Sequence, residues 1–304
     1  MLLLIAIPPT ASAERPSCFG QRATIVGNAH GNRIMGTGRG DVIVGLGGKD
    51  VIYSNGGRDV ICGGAGDDRI FGGSHPSRLK RDDPSVLIGG PGDDYIDGGF
   101  NDDLIVGDNA NLSGDAIGHV GKDYLRGEFG DDRVIGDNYS SFNALGGAHD
   151  VIMGMKGDDW FVGDSMVTGD GTATGGGNDH FTGSSDNDFE VGDSYSPYGR
   201  AIGGGNDEIN AGPQNDLIIG DSYTKTGLAS GAGVDQLHSL QGNDTAYGDN
   251  YAADPAGKTS GGAHDFIGGS SGNDHLFGGP EHDTCNGGPN TDTASQCEYV
   301  LEVP

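Results

Sequence analysis

The sequence predicts an all-β fold, a parallel solenoid of the β-roll or β-helix type built from nine-residue repeats. Three observations predict it: a nonapeptide motif that recurs along most of the chain, 61 glycines among 304 residues, and 45 acidic residues against 17 lysines and arginines. Glycine and aspartate both disfavour helix interiors, and the chain lacks the three-residue glycine period of collagen. A helical bundle and a triple helix are therefore excluded.

The repeat is clearest in four consecutive units at 36–44, 45–53, 54–62 and 63–71. Each has a glycine-rich turn, an aspartate at the sixth place and an aliphatic residue at the eighth. After an insertion the pattern resumes in pairs whose aspartates are nine residues apart. Successive pairs begin 27 to 30 residues apart as far as Asp265, and units with Asp283 and Asp292 follow. The twenty sixth-place aspartates are Asp41, Asp50, Asp59, Asp68, Asp94, Asp103, Asp123, Asp132, Asp150, Asp159, Asp179, Asp188, Asp207, Asp216, Asp235, Asp244, Asp265, Asp274, Asp283 and Asp292.

A second, longer period marks the middle of the chain, which repeats about every 28 residues. Five residues after the second aspartate of six pairs stands a Gly-Asp-Asn or Gly-Asp-Ser triplet, followed by a variable segment of small and polar residues. The aspartates of these triplets are Asp108, Asp137, Asp164, Asp193, Asp221 and Asp249.

The ninth place of the second unit predicts how the long repeats fold. It is apolar throughout, whereas the inward eighth place is less pure, since Glu190 and Ala246 occupy it. We therefore expect the ninth-place face to be covered by the segment after the triplet, which would form a third side of each coil. The alternative is a two-sheet roll from which these segments project as loops. The ninth-place residues are Val106, Ile135, Val162, Val191, Ile219 and Tyr247.

Elementary geometry explains why such units need a cation. Three residues with an apolar centre make a short strand whose central side chain points inward, and glycine supplies the positive φ of the turn. Two units complete a coil of 18 residues, and coils stack at about 4.8 Å. Aspartates eighteen residues apart, such as Asp41 and Asp59, then lie above one another and repel unless a divalent cation lies between them. Their hard oxygen ligands suit calcium.

These residues resemble the RTX, or hemolysin-type, calcium-binding repeat with consensus GGxGxDxUx. Units 63–71 and 89–97 match every fixed place of that consensus. The resemblance implies a secreted bacterial calcium-binding protein in which turn carbonyls and the sixth-place carboxylates hold Ca²⁺ inside a parallel β-roll. We assign the six triplet aspartates to metal binding as well. Family members that use one-step export usually lack a cleaved leader and cysteines, so the export route of this chain is expected to differ.

The N-terminus and the cysteines point to a secreted protein. Residues 1–13 read as a signal peptide, because an apolar stretch is followed by Ala11-Ser12-Ala13. Cys18, Cys62, Cys285 and Cys297 allow three pairings. We favour Cys18–Cys62 and Cys285–Cys297, which would fasten the two ends of an elongated molecule; free buried thiols are the alternative. No stretch approaches the roughly 20 apolar residues of a transmembrane helix.

The expected organisation has six parts. They are a signal peptide (1–13), an N-terminal cap (14–26), a regular roll (27–73), an insertion (74–88), long-period calcium-binding coils (89–260), and C-terminal repeats with a disulfide cap (261–304).

The functional expectation is a secreted protein that folds on binding several calcium ions and has a structural or surface role. A net charge of −28 excludes a protein that binds nucleic acid through phosphate contacts. No catalytic residues are expected: a G-x-S-x-G match at 268–272 lies inside a repeat turn, without the strand–elbow–helix context of a hydrolase. Two alternatives are a calcium-dependent adhesin or extracellular matrix component, with the cell surface or matrix as partner, and a non-catalytic module of a secreted enzyme or toxin.

Overall fold

A computed structural model describes residues 15–73, 83–183 and 185–303. The predicted signal peptide and residues 74–82 of the predicted insertion lie outside this part of the chain. The described residues form strands and turns without a helix, as the sequence predicts. Accordingly, none of them forms an apolar helix that could cross a membrane.

Two long parallel sheets face each other along the solenoid, and consecutive strands alternate between them. The first sheet contains Arg33–Met35, Val51–Tyr53, Arg69–Phe71, Tyr95–Phe100, Tyr124–Phe129, Val151–Lys156, His180–Thr182, Glu208–Asn210, Gln236–His238, Phe266–Gly268, Thr284–Asn286 and Tyr299–Leu301. The second sheet contains Ile25–Asn28, Val42–Gly47, Val60–Ala65, Val86–Ile88, Leu104–Val106, Arg133–Ile135, Trp160–Val162, Phe189–Val191, Leu217–Ile219, Thr245–Tyr247, His275–Phe277 and Thr293–Ser295. Residues 86–88, grouped above with the insertion, thus form a strand of the solenoid.

The long coils have a third side, which confirms the three-sided version of the prediction. A third sheet contains Ala116–Ile117, Ala144–Leu145, Thr172–Thr174, Arg200–Ile202, Leu228–Ser230 and Lys258–Ser260. Shorter corner strands lead into it, at Ala110–Asn111, Tyr139–Ser140, Met166–Val167, Tyr223–Thr224 and Tyr251–Ala252. Each of these strands pairs in parallel with the equivalent strand of a neighbouring coil.

The main core lies between the first two sheets and consists of eighth-place side chains. In the first sheet Ile34, Ile52 and Ile70 stack in register, one in each coil. They belong to one buried cluster that extends to Leu276 and Cys285 near the other end. Each eighth-place side chain points inward because strand residues alternate between the two faces of a sheet.

A second core fills the space between the second sheet and the corner strands. The ninth-place residues Val106, Ile135, Val162, Val191 and Ile219 are fully buried there, and Tyr247 is half-buried. Corner residues such as Tyr139, Met166 and Tyr195 pack against this row. Val44 and Ile88, at the same place in the shorter coils, belong to this cluster too, so the ninth place is apolar where this face is covered.

The segment that forms the third side is inserted within the turn of a nine-residue unit. In the short coil, the α-carbon of Gly89 at the first place of its unit faces Oδ2 of the sixth-place Asp94. In the long coil the α-carbon of Gly107 faces Oδ2 of Asp123 in the same manner. Gly107 belongs to a Gly-Asp-Asn triplet, so the glycine of the triplet is the first place of an ordinary unit. The third side is therefore an expansion of that unit's turn.

Disulfides fasten both ends, with the predicted pairing Cys18–Cys62 and Cys285–Cys297. Ser17–Cys18 and Gln21–Arg22 form an antiparallel hairpin. Cys18 is buried against Val42 and Val60 of the second sheet. The hairpin thus covers, at the N-terminal end, the face that the third side covers in the long coils.

Replacing a glycine at the contact between coils should weaken the solenoid. A Cβ at Gly163 would overlap the carbonyl oxygen of Gly192 and Oδ2 of Asp179, whereas a Cβ at Gly38 meets nothing within 4 Å. We expect G163A to lower the free energy of unfolding in calcium by about 2 kcal/mol or more, the cost of overpacking a rigid backbone. G38A is the matched control. Equal thermal midpoints for the two variants would contradict this packing.

Candidate metal sites

The twenty sixth-place aspartates lie in two columns along the solenoid, one residue per coil in each, and only the second column is interrupted, between Asp59 and Asp103. The first column precedes the strands of the first sheet and contains Asp50, Asp68, Asp94, Asp123, Asp150, Asp179, Asp207, Asp235, Asp265 and Asp283. The second column precedes the strands of the second sheet and contains Asp41, Asp59, Asp103, Asp132, Asp159, Asp188, Asp216, Asp244, Asp274 and Asp292. All twenty are buried.

One carboxylate oxygen of each column member is used for hydrogen bonding between coils. The backbone N–H of Asp68 donates to Oδ1 of Asp94 at 2.7 Å, and that of Asp94 donates to Oδ1 of Asp123 at 2.7 Å. In the second column the N–H of Asp132 donates to Oδ1 of Asp159 at 2.8 Å. The sixth place therefore holds neighbouring coils in register before any ion is considered.

The second oxygen, Oδ2, faces the start of the turn. It lies against the α-carbon of the first-place glycine of its own unit, as Asp68 does at Gly63 and Asp159 at Gly154. In most column members this atom is buried without a hydrogen-bond partner, which is costly for an ionised group. These members are Asp50, Asp68, Asp94, Asp123, Asp132, Asp150, Asp159, Asp179, Asp207, Asp216, Asp235, Asp244, Asp265, Asp274, Asp283 and Asp292.

The turn backbone adds carbonyl oxygens beside these carboxylates. Gly64 and Gly66, at the second and fourth places of their unit, have φ values of 110° and 125°. Only glycine adopts such angles freely, which accounts for the glycines of the motif. The N–H groups of Gly64 and Gly66 donate to the carbonyls of Gly89 and Pro91 in the next coil. Each of these carbonyl oxygens retains a second lone pair.

The electrostatics of the columns favour neutralisation. Burial raises the pKa of Asp68 to about 7, of Asp159 to about 8 and of Asp94 to about 9. In the long coils, burial and then the charges of neighbouring aspartates hold the pKa of Asp150 and Asp179 well above the usual range. A carboxylate in such a place must take up a proton or bind a cation.

Each of the six triplet aspartates, at the start of a third-side segment, accepts a backbone N–H from the end of that segment. Oδ2 of Asp108 accepts the N–H of Gly121 at 3.0 Å, and Oδ1 of Asp193 accepts the N–H of Gly205 at 2.9 Å. The equivalent bonds reach residues 148, 177, 233 and 263. Asp164 also lies close enough to Asp179 for that charge to raise its pKa, after burial itself. Each long coil therefore brings a triplet aspartate beside the first column.

These donor sets fit calcium better than a transition metal. Carboxylate and carbonyl oxygens are the ligands of hard cations, and calcium accepts six to eight of them in irregular geometry. No group of three His, Cys, Asp or Glu side chains suited to a metal ion occurs among residues 15–73, 83–183 and 185–303. The sites that the turns offer are pairs of carboxylates completed by backbone carbonyls. The assignment of each aspartate as a ligand stays a prediction.

Four residues that the sequence analysis did not assign also belong to the columns. Ala23 and Asn32 occupy the sixth places of the first coil, and the N–H of Asn32 donates to Oδ1 of Asp50 at 2.6 Å. Ser85 follows Asp59 in the second column, and its N–H donates to Oδ1 of Asp103 at 2.7 Å. At the other end Glu298 accepts the N–H of Asp283 at 2.9 Å.

Three of these four could have been found from spacing, because Ala23, Asn32 and Ser85 each stand eighteen residues before an aspartate of the same column. Ser85 stands eighteen residues before Asp103 and is followed by three aliphatic residues, which is the pattern of the second unit. Glu298 gives no such signal, because it lies fifteen residues after Asp283 instead of eighteen.

Comparison with protein families agrees with this geometry. The family described as RTX calcium-binding nonapeptide repeat (4 copies) matches residues 26–61, 52–74, 84–111, 116–138, 146–165, 173–190, 203–222, 229–250 and 259–294. A search of curated proteins gave no match. The family model covers well over half of the chain, and its repeats coincide with the aspartate columns. The chain belongs to the family of proteins with RTX calcium-binding nonapeptide repeats.

Proposed function

We propose that this protein is secreted, folds on binding calcium in the turns of its solenoid, and has a non-catalytic structural role at a cell surface or in an extracellular matrix. The observation that carries the proposal is the row of buried Oδ2 atoms without hydrogen-bond partners in the two columns. A bound cation compensates these atoms in every coil at once. The net charge of −28 supplies the electrostatic reason why the chain needs it.

The proposed mechanism couples ion binding to folding. In low calcium the carboxylates of a column repel one another, and burying them ionised is unfavourable. Bound calcium removes both penalties, so the free energy of binding becomes free energy of folding. Each coil contacts only its neighbours, as in other solenoids, so ordering one coil favours the next. The response to calcium is therefore cooperative.

Secretion is supported by the family and by the covalent structure. Structural disulfides form in oxidising compartments, and both cysteine pairs of the chain are disulfide-bonded. Extracellular calcium modules bind with dissociation constants of about 10⁻⁴ to 10⁻³ M, near the calcium concentration outside cells. We therefore expect the chain to be expanded inside the cell, where calcium is low, and to fold outside it, where calcium is high and disulfides form.

The non-catalytic role is supported by the arrangement of the acidic groups. The columns repeat the same carboxylate and the same backbone contacts in coil after coil. Such a pattern suits ion binding along an axis better than a single reaction centre, which needs different groups converging on one point.

Calcium titration monitored by far-UV circular dichroism tests the mechanism directly. We expect strand signal to appear cooperatively with a midpoint of about 10⁻³ M or below, and to disappear on adding chelator. Magnesium is the matched control, because it demands strict octahedral geometry and keeps its water ligands. Strand signal that persists unchanged in chelator would refute calcium-dependent folding.

The calcium-free chain should depend on pH in the direction set by the raised pKa values. Asp68, Asp159 and Asp94 have folded-state pKa values of about 7, 8 and 9, above the unfolded value. Their contribution to the stability of the calcium-free fold is present below about pH 4 and is lost as the pH rises through 7 to 9. We expect strand signal of the dialysed chain to fall from pH 4 to pH 9. A rise over this range would contradict the burial of these acids.

A single column aspartate should control one local site. Asn at position 159 keeps the acceptor for the N–H of Asp132 but removes the charge. We expect D159N to lose one calcium ion, or to hold it at least about tenfold more weakly, because ligand charge tunes calcium affinity. The matched control is D158N, since Asp158 is exposed next to it. Isothermal titration calorimetry measures both, and equal calcium stoichiometry and affinity would remove Asp159 from the site.

A further inference from the structure

Glu190 is a buried acid that the repeat does not explain. It occupies the eighth place of unit 183–191, where its neighbours in register are Phe161 in the coil before and Ile218 in the coil after. It is completely buried between the first two sheets. Every other unit places an apolar side chain at this point of the second sheet, from Ile43 to Leu276.

Neither carboxylate oxygen of Glu190 has a hydrogen-bond partner. Burial raises the pKa of Glu190 well above its usual range, and the charges of four second-column members, Asp188, Asp216, Asp159 and Asp244, raise it further. A buried acid of this kind either takes up a proton and donates it to an acceptor, or stays ionised and binds a cation. No hydrogen-bond donor of the described residues compensates the ionised carboxylate.

The geometry of the repeat shows where this carboxylate lies. In unit 98–106 a Cβ on Gly98 would lie 3.0 Å from Oδ2 of Asp103 and 3.1 Å from Cδ1 of Ile105. The tip of the eighth-place side chain and the sixth-place carboxylate thus meet at the α-carbon that begins the turn. In unit 183–191 the corresponding Cβ on Gly183 would lie 2.9 Å from Oε1 of Glu190. The carboxylate of Glu190 therefore lies close to the α-carbon of Gly183, the first-place glycine of its own unit.

The carbonyl oxygen of Ala211 lies at the same point. It belongs to the first place of the next unit in the column and is the atom nearest to the position of a Cβ on Gly183. Asp188 is the sixth-place residue of the same turn, and its charge is the largest single-residue influence on Glu190. The two carboxylates and this carbonyl therefore place oxygen atoms close to the start of one turn.

We propose that Glu190 is a calcium ligand in a distinct site, in which an ion is held by Glu190 from the core side together with Asp188 and backbone carbonyls such as that of Ala211. This inference rests on the proposed calcium binding of the column. One further carboxylate raises the negative charge of this site above that of the ordinary turns, and ligand charge sets calcium affinity. The site is therefore the tightest of the second column and the first of that column to fill.

Substitution of Glu190 tests the site, with calcium alone as the probe. E190Q keeps the size of the side chain and removes its charge. We expect the chain to lose one bound ion, or to hold one ion at least about tenfold more weakly, by isothermal titration calorimetry and by equilibrium dialysis with ⁴⁵Ca. The matched control is E208Q: Glu208 is exposed on the first sheet one coil further on, so its substitution should leave calcium binding unchanged.

A second variant covers the case in which E190Q does not fold. E190L places an aliphatic side chain where Ile218 stands in the next coil, so it removes the buried charge and preserves the packing. E190L should fold in calcium with one bound ion fewer than the wild-type chain. If E190Q and E190L both bind as many ions as E208Q with the same affinities, the inference is overturned while the proposed function stands. A wild-type chain that binds no calcium would overturn the proposed function and the inference together.

Discussion

The stacking of like charges is the constraint on which the rest of the structure depends. Parallel strands in register place the sixth-place carboxylate of each coil directly beside that of the next, at the strand spacing of about 4.8 Å. In this fold the two oxygens of each carboxylate have different roles. Oδ1 accepts a backbone N–H from the neighbouring coil, as in the Asp68–Asp94 contact, and Oδ2 faces the turn, where a cation can bind it.

The ends of the columns follow from the same constraint. At the N-terminal end Ala23 and Asn32 occupy the sixth places, and Asn32 donates its N–H to Asp50 without adding a charge. At the C-terminal end the longer side chain of Glu298 reaches back to the N–H of Asp283. In the long coils the triplet aspartates lie beside the first column, which doubles the number of acids there and buries them more deeply. The negative charge is therefore concentrated in the middle of the molecule.

Much of the fold could be predicted from the sequence, because a nine-residue period with one aspartate and one aliphatic residue fixes strand, turn and stacking together. The apolar ninth-place residues, such as Val106 and Ile135, made the third side predictable as well, and both are buried as expected. Its point of entry could not be predicted, since nothing local shows that Gly107 is the first place of a unit whose aspartate lies sixteen residues on.

Parts of the candidate sites were hidden for a related reason. Ser85 and Glu298 occupy column positions without being aspartates, so a search for the motif passes over them. The sequence showed Glu190 as an acid at an otherwise apolar eighth place, but it could not show that the side chain lies beside the turn. Only the meeting of the eighth-place tip and the first-place α-carbon reveals it.

The two disulfides have a consequence for how a self-similar chain finds its alignment. Because every coil resembles its neighbours, a strand displaced by one whole repeat would still meet aliphatic and acidic partners at the right places. Cys18 and Cys62 are joined across the first coils, and Cys285 and Cys297 across the last. These covalent bonds do not depend on calcium, so a correctly aligned starting point persists at each terminus of the ion-free chain. Folding that spreads inward from either disulfide-bonded end therefore adds each new coil in the correct strand register.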